Sequence, residues 1–308
     1  MSPNLLFRAL TNLPRRDFVP GISHLLYSPF PALAARKALR ARSRIVCAFK
    51  RYFEIGGHLQ AFPMIPEMHE LIKSHGLSTE EAAKMEMATS LAMLSSGAVT
   101  AFWLLFHILS DENLVKSIRE ELCLVVEDTG AEQVKIVNLS AVKDGCPTLV
   151  AVLNETFRYH STVINIKQVR YSTTLDGRYL LKKDSIVMMP GQSVHHNKDI
   201  WGTSADTFDP HRFLSSSSRK TLSNTSAFRP FGAGTTMCPG RHFSTNVILS
   251  LVAILLLKFD VVPINGEWKQ PTKRNADMWN AMPKPDHDIA VRLKPRGGEQ
   301  VEWKFVWE

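Results

Sequence analysis

The hydrophobic and polar positions of the first half of the chain predict helices. Residues 32–54 carry a basic helical pattern that ends near Gly56-Gly57. Pro63 and Pro66 interrupt the chain, and 66–75 predicts a short helix closed by Gly76. Ser78 and Glu81 have the S-x-x-E spacing of a capping box, in which each side chain accepts a free backbone N–H of the first turn. They open a long helix that reaches about Leu109. Asp111 starts the next, "DENLVKSIREELCLVV", with acids in the first turn where the helix dipole favours them. Pro147 opens another, "PTLVAVLNETFRYH". The pattern then changes, and "VINIKQVRYSTTL" and "RYLLKKDSIVMMPG" flank Asp176-Gly177 as two strands around a turn. Residues 190–237 are rich in Pro, Gly, Ser and Asn and predict mostly irregular chain. A helix follows over about 240–258, and "DIAVRLKP" reads as a strand near the end. Without internal repeats or a clear linker, this predicts a mainly α fold with a small β portion.

Composition narrows the class. A hydrophobic share of 44% and a charged share of 21% over 308 residues describe a globular protein. Four scattered cysteines, Cys47, Cys123, Cys146 and Cys238, form neither a disulfide framework nor a zinc motif, and they suit a reducing compartment. The net charge of +8 is partly local: Arg36, Lys37, Arg40, Arg42, Arg44, Lys50 and Arg51 occur with no acid among them. Such a cluster is either a solvated helix face or a contact for lipid headgroups. No nucleic-acid motif accompanies it, so nucleic acid is not expected as a partner. "LPRRDFVPG" (13–21) has twin arginines, but Pro29, Pro31 and His24 occupy the place of an export signal's apolar region. Residues 87–110 lack Asp, Glu, Lys and Arg and are long enough to span a bilayer. Ser95, Ser96, Gly97, Thr100 and His107 equally suit a helix buried through the middle of a soluble fold.

The chemistry concentrates in "RPFGAGTTMCPGRHFS" (229–244). Cys238 stands at a loop-to-helix junction, where unpaired N–H groups and the helix dipole favour an anion. Pro239 suits the first turn of the helix. Gly232 and Gly234 permit a tight loop, and Gly240 clears the near side of the helix for a flat ligand. A thiolate beside a bare backbone surface suits a planar metal complex; an inert buried cysteine at a loop end is the plainer alternative.

The order Phe231-x-x-Gly234-x-x-x-Cys238-x-Gly240 resembles the haem-binding loop of cytochrome P450 monooxygenases. Further segments occur in the family's order. "NETFR" supplies Glu155 and Arg158 of a Glu-x-x-Arg pair. "FDPHRF" (208–213) supplies Arg212, with His211 in place of the usual acid, after "HHNKDIWG" (195–202). "SSGAVTAFW" places Gly97 and Thr100 at the oxygen-groove positions of the family's long central helix. The resemblance implies haem b bound through the Cys238 thiolate, with Phe231, Gly232, Gly234 and Gly240 shaping the loop. It assigns catalytic roles to Thr100 and Gly97, a haem-propionate contact to Lys167, and a structural cluster to Glu155, Arg158 and Arg212.

Some positions depart from the common pattern: Val99 replaces the acid before the threonine, Thr236 a basic residue, and Ser244 an alanine. Together with "INIKQV" (164–169) they resemble the branch of sterol 7α- and 12α-hydroxylases and prostacyclin synthase, in a fungal style. The implied activity is hydroxylation of a lipophilic, sterol-like substrate with O2 and electrons from NADPH-cytochrome P450 reductase. A same-fold isomerase or dehydratase of a lipid peroxide and a non-catalytic fragment are the alternatives. The resemblance covers the C-terminal three-fifths of the family's fold. Residues 1–308 would be one partial domain: pocket-covering helices over about 22–76, a central helix over 78–110, the Glu-x-x-Arg helix over 147–160 and the cysteine loop over 229–244. The full-length relative would sit at the cytosolic face of the endoplasmic reticulum membrane. This chain is expected to lack an anchor or signal of its own, to make peripheral membrane contact at most, to retain haem weakly or not at all, and to show little activity alone.

Overall fold

The computed structural model describes residues 17–128, 134–214, 226–276, 280–296 and 301–307. The chain forms two compact units that divide between Ser95 and Ser96.

The first unit is helical: α1 (Ile22–Tyr27), α2 (Pro31–Ala34), α3 (Arg36–Glu54), α4 (Met64–Ser74) and the start of α5 (Thr79–Leu109). In α3, Ala38, Ala41, Ile45, Val46, Phe49 and Phe53 recur at helical spacing and are buried. The basic cluster occupies the other side: Arg36, Lys37, Arg40, Arg42, Arg44 and Arg51 are exposed. The capping box at the head of α5 forms as expected. The Ser78 N–H donates to Glu81 Oε2 at 2.7 Å, and the Glu81 N–H donates to Ser78 Oγ at 3.2 Å. The short helix begins at Met64 rather than 66, because Pro66 falls in the first turn, which needs no N–H from it.

The second unit continues along α5 into α6 (Glu112–Leu124), α7 (Val142–Gly145), α8 (Pro147–His160), α9 (Gly191–His195), α10 (Lys198–Trp201) and α11 (Arg241–Lys258). Its core packs Trp103, Leu104 and Ile108 of α5 with Ile118 and Leu122 of α6, Leu149 and Leu153 of α8, and Leu249, Val252 and Leu256 of α11. Both α5 and α11 are long and apolar enough to cross a membrane. Within the structure 35% of the apolar stretch of α5 and 39% of that of α11 are buried, so both helices also leave apolar surface uncovered.

The β portion is richer than two strands around a turn. β3 (Ile164–Gln168) pairs antiparallel with β6 (Ile186–Pro190), and β4 (Thr173–Leu175) pairs with β5 (Tyr179–Leu181). The turn at Asp176-Gly177 has both φ angles positive, at 53° and 64°, as a tight two-residue hairpin requires. Asp184, at φ 65°, bends the returning strand, so one expected hairpin becomes two ladders. β1 (Val126–Asp128), β2 (Val134–Asn138) and β9 (Glu302–Val306) form a three-stranded sheet that the sequence pattern does not announce. β7 (Phe259–Pro263) pairs with β8 (Val291–Pro295), which lies within the expected terminal strand.

Candidate functional site

Three elements of the second unit build the site. The loop before α11 is closed by its own backbone. The Cys238 N–H donates to Phe231 O at 2.9 Å, and the Met237 N–H donates to Gly234 O at 3.1 Å. Gly232 and Gly234 sit at φ 81° and 68°, left-handed values that a side chain would strain. Phe231 anchors the loop edge-on against Phe157 of α8, at 4.9 Å between ring centroids. Helix α11 starts at Arg241 with Gly240 as its cap, so Pro239 precedes the helix instead of filling its first turn. The Arg241 guanidinium donates to Cys238 O at 3.2 Å, tying the cysteine backbone to the helix start.

Cys238 is a free, partly exposed thiol. A Cβ added to Gly240 would stand 3.9 Å from its Sγ, so the surface beside the sulfur is bare backbone. Cys146 contrasts with it: buried in the core, its thiol is pushed up to about 12 by burial and the nearby Glu121 charge, the state of an inert cysteine.

Gly97 on α5 faces the same region. A Cβ there would meet Ser244 Oγ of α11 at 3.9 Å, which places the small residue of "SSGAVT" against the helix that leaves the cysteine loop. Thr100 is buried, and its Oγ1 donates to Ser96 O at 2.8 Å. Its one hydroxyl proton is therefore held by its own helix, which also loosens the backbone there. Val99 is buried and apolar.

The Glu-x-x-Arg pair is fully buried on α8. Arg158 Nε and Nη2 donate to the two Glu155 oxygens, each at 2.7 Å, as a bidentate pair. Arg158 Nη1 donates to His195 O and Ala205 O at 2.7 Å, and Nη2 also donates to Thr207 O at 3.0 Å. All the donors of the guanidinium fork are thus engaged. Arg212 completes the cluster with its Nε 3.5 Å from Glu155 Oε1, and its Nη1 donates to Trp201 O at 3.0 Å. The effect is to pin the irregular segment after α9 onto α8. His211, which replaces the acid, is exposed.

His195 is a residue that the sequence reading missed. It is fully buried, and its Nε2 accepts the Arg229 N–H at 3.1 Å at the start of the cysteine loop. Its own carbonyl accepts from Arg158. One side chain and its carbonyl therefore connect the buried arginine to the loop. Burial, with the Arg158 charge next in effect, holds the imidazole down at about 4, so it stays neutral with its proton on Nδ1. The only signal in the sequence was the His-His pair that precedes "NKDIWG". Lys167 lies mid-strand in β3 opposite Val187, on a ladder separate from the loop.

A family model described as cytochrome P450 matches residues 68–289. The chain belongs to the cytochrome P450 family. It is 33% identical over 299 residues to cytochrome P450 monooxygenase nodJ of Hypoxylon pulicicidum, covering 94% of this chain and 58% of that protein. It is 28% identical to a cytochrome P450 monooxygenase of Gibberella zeae, again covering 94% of this chain and 58% of the relative. It is 27% identical to cytochrome P450 7A1 of Sus scrofa, over 86% of this chain and 56% of that one. The chain thus spans less than two thirds of the length of these curated relatives.

Cytochrome P450 proteins carry a haem iron. The donor set here fits such a group: one partly exposed thiol beside bare backbone and, among the described residues, no cluster of three His, Cys, Asp or Glu that could hold a metal ion alone. A single protein ligand suffices only where a macrocycle supplies the others.

Proposed function

We propose that this cytochrome P450 chain carries the haem-binding part of a monooxygenase that acts on a lipophilic, sterol-like substrate. The observation that supports it is the cysteine loop, in which Cys238 stands beside Gly240 with no Cβ between sulfur and ligand space. Cys238 would supply the thiolate that holds the haem iron, Gly232 and Gly234 hold the turn, and Phe231 locks the loop to α8. Lys167 is the candidate propionate contact. Bound here, haem supplies activation of dioxygen for insertion into a C–H bond. Gly97 keeps space between α5 and α11, and Thr100 holds a proton at Oγ1 that it shares with Ser96 O. Glu155, Arg158 and Arg212 hold the chain that delivers the loop.

Supporting the sterol-like substrate are the relative named cytochrome P450 7A1 and the replacements at Val99, Thr236 and Ser244. Residues 1–308 are proposed as part of one family domain, with NADPH-cytochrome P450 reductase as electron donor at the cytosolic face of the endoplasmic reticulum membrane. The basic face of α3 is the candidate for peripheral membrane contact. A second reading, isomerisation of a lipid peroxide, gains support from Val99, since a buried valine relays no proton. Dependence of turnover on added reductase and NADPH separates the two.

The experiment for the haem site is titration of the chain with haemin, followed by the carbon-monoxide difference spectrum. The expected result is a thiolate-type band that Cys238→Ser abolishes while the fold, read by circular dichroism, is retained. An unchanged band in C238S would rule out Cys238 as ligand.

A further inference from the structure

A cleft of about 520 Å³ opens in the second unit near the C-terminal end of α5, and nothing in the haem-thiolate reading uses it. Its volume lies within the range of roughly 300–1,000 Å³ typical of small-molecule sites. Phe106, Phe208 and Trp268 supply aromatic wall, Asp111 and Asp209 supply carboxylates, and His107 lines it from α5. His107 is 9% exposed, which makes it the buried polar group of the cleft.

The protons on His107 can be placed by following a buried chain of three groups. Lys273 Nζ lies 3.1 Å from His160 Nδ1. Lys273 also stands over the Trp103 and Tyr159 rings, at 5.7 and 5.3 Å from their centroids, contacts that favour a cation. Burial lowers its pKa, which the two ring contacts oppose; as an ammonium it has donors only, so His160 Nδ1 accepts. His160 is buried beside that cation, stays neutral, and must carry its proton on Nε2. His160 Nε2 and His107 Nε2 are 2.8 Å apart, so His160 donates and His107 accepts. His107 is likewise held neutral, at about 3, by burial and then the Lys273 charge. Its single proton therefore sits on Nδ1, the ring nitrogen that His160 does not engage. Trp103 stacked on His160 at 4.2 Å and Phe208 stacked on His107 at 3.5 Å fix both rings.

The cleft thus presents an N–H donor polarised by a cation through two imidazoles, with carboxylate acceptors and aromatic wall around it. Each carboxylate already caps a helix start through Oδ1: Asp111 accepts from the Asn113 N–H at 2.9 Å, and Asp209 from the His211 N–H at 3.1 Å. An anionic ligand would meet two carboxylates, and a cationic ammonium, which has donors only, would leave the His107 N–H without an acceptor. We infer that the cleft is a binding site for a neutral aromatic carboxamide, with its carbonyl oxygen on His107 Nδ1–H, its NH2 on a carboxylate and its ring against Phe106 and Trp268.

The probe is benzamide, with benzoate and benzylammonium as charged counterparts, titrated into the ¹⁵N-histidine-labelled chain and read by NMR. The wild-type chain should show His107 protonated on Nδ1 and His160 on Nε2. Benzamide should shift His107 saturably and bind roughly tenfold or more tightly than either ion, and His107→Phe should remove that preference. Lys273→Met, which removes the cation behind the chain, should weaken benzamide in the same direction. The inference is overturned if His107 carries its proton on Nε2, if benzamide binds no better than both ions, or if a folded H107F chain binds it undiminished. The first two readouts need no variant, so a misfolded variant does not rescue the inference.

Discussion

At the residue scale, three side chains have different jobs and fail differently. Glu155 is a buried carboxylate facing two arginines, and if it were neutralised the fully buried Arg158 and the partly buried Arg212 would lose their counter-charge. Breaking a buried pair by removing one partner costs about 3–5 kcal/mol. Glu155→Gln should therefore lower the melting temperature sharply or prevent folding, as thermal denaturation would show; a wild-type melting temperature would contradict the role given to the cluster. His195 predicts a pH effect. Its imidazole has an ordinary value of 6.5 and is held at about 4 in the folded chain. The unfolded chain binds the extra proton first, so His195's contribution is complete above about 6.5 and is lost as pH falls toward 4. Denaturant titrations across that window should show wild type losing more stability than His195→Gln, which keeps an acceptor for the Arg229 N–H and has no proton to gain. Equal losses would show that another group dominates acid sensitivity.

At the element scale, the sequence announced what is local. The capping box at Ser78, the cap at Asp111 and the Asp176-Gly177 turn all formed because each needs only neighbours in the chain. The cysteine loop was legible for the same reason: its glycines and its closing bond from Cys238 to Phe231 lie within ten residues of sequence. What stayed hidden depends on distant partners. β2 pairs with β9 from Val134↔Glu302 onward, and no pattern in either segment names the other. The bond from Arg229 to His195 and the nearness of Gly97 to Ser244 are likewise products of packing. That last contact makes a prediction. Gly97→Leu would need space already bounded by α11, so haem affinity should fall in a haemin titration, more than for Gly97→Ala, whose single methyl fits at van der Waals distance. Equal affinity for G97L and wild type would remove Gly97 from the site. Along α11, Phe243, Val247 and Leu251 recur every four residues and are about half exposed. Val247→Glu with Leu251→Glu should reduce self-association in light scattering at little cost in melting temperature, because these positions give up little buried area.

At the scale of the whole molecule, family membership, the Cys238 loop and the buried Glu155–Arg158–Arg212 cluster belong to one account. The family match runs through residues 68–289 and so contains α5, α8 and the loop before α11. The first unit contributes a different property. The exposed basic side chains of α3 share that unit with exposed Leu26, Tyr27, Phe30 and Leu33, a combination suited to an anionic lipid surface. Sedimentation with vesicles rich in anionic lipid should carry the chain down and lose it as salt rises; indifference to salt would leave the basic face as solvated surface. The central claim is narrower and more exposed to refutation: the sulfur of Cys238 binds iron. X-ray absorption at the iron edge of the haem-loaded chain tests it most directly. The account predicts a sulfur scatterer in the first shell of the wild-type chain and none in Cys238→Ser. A first shell of nitrogen and oxygen alone in the wild-type chain would contradict it.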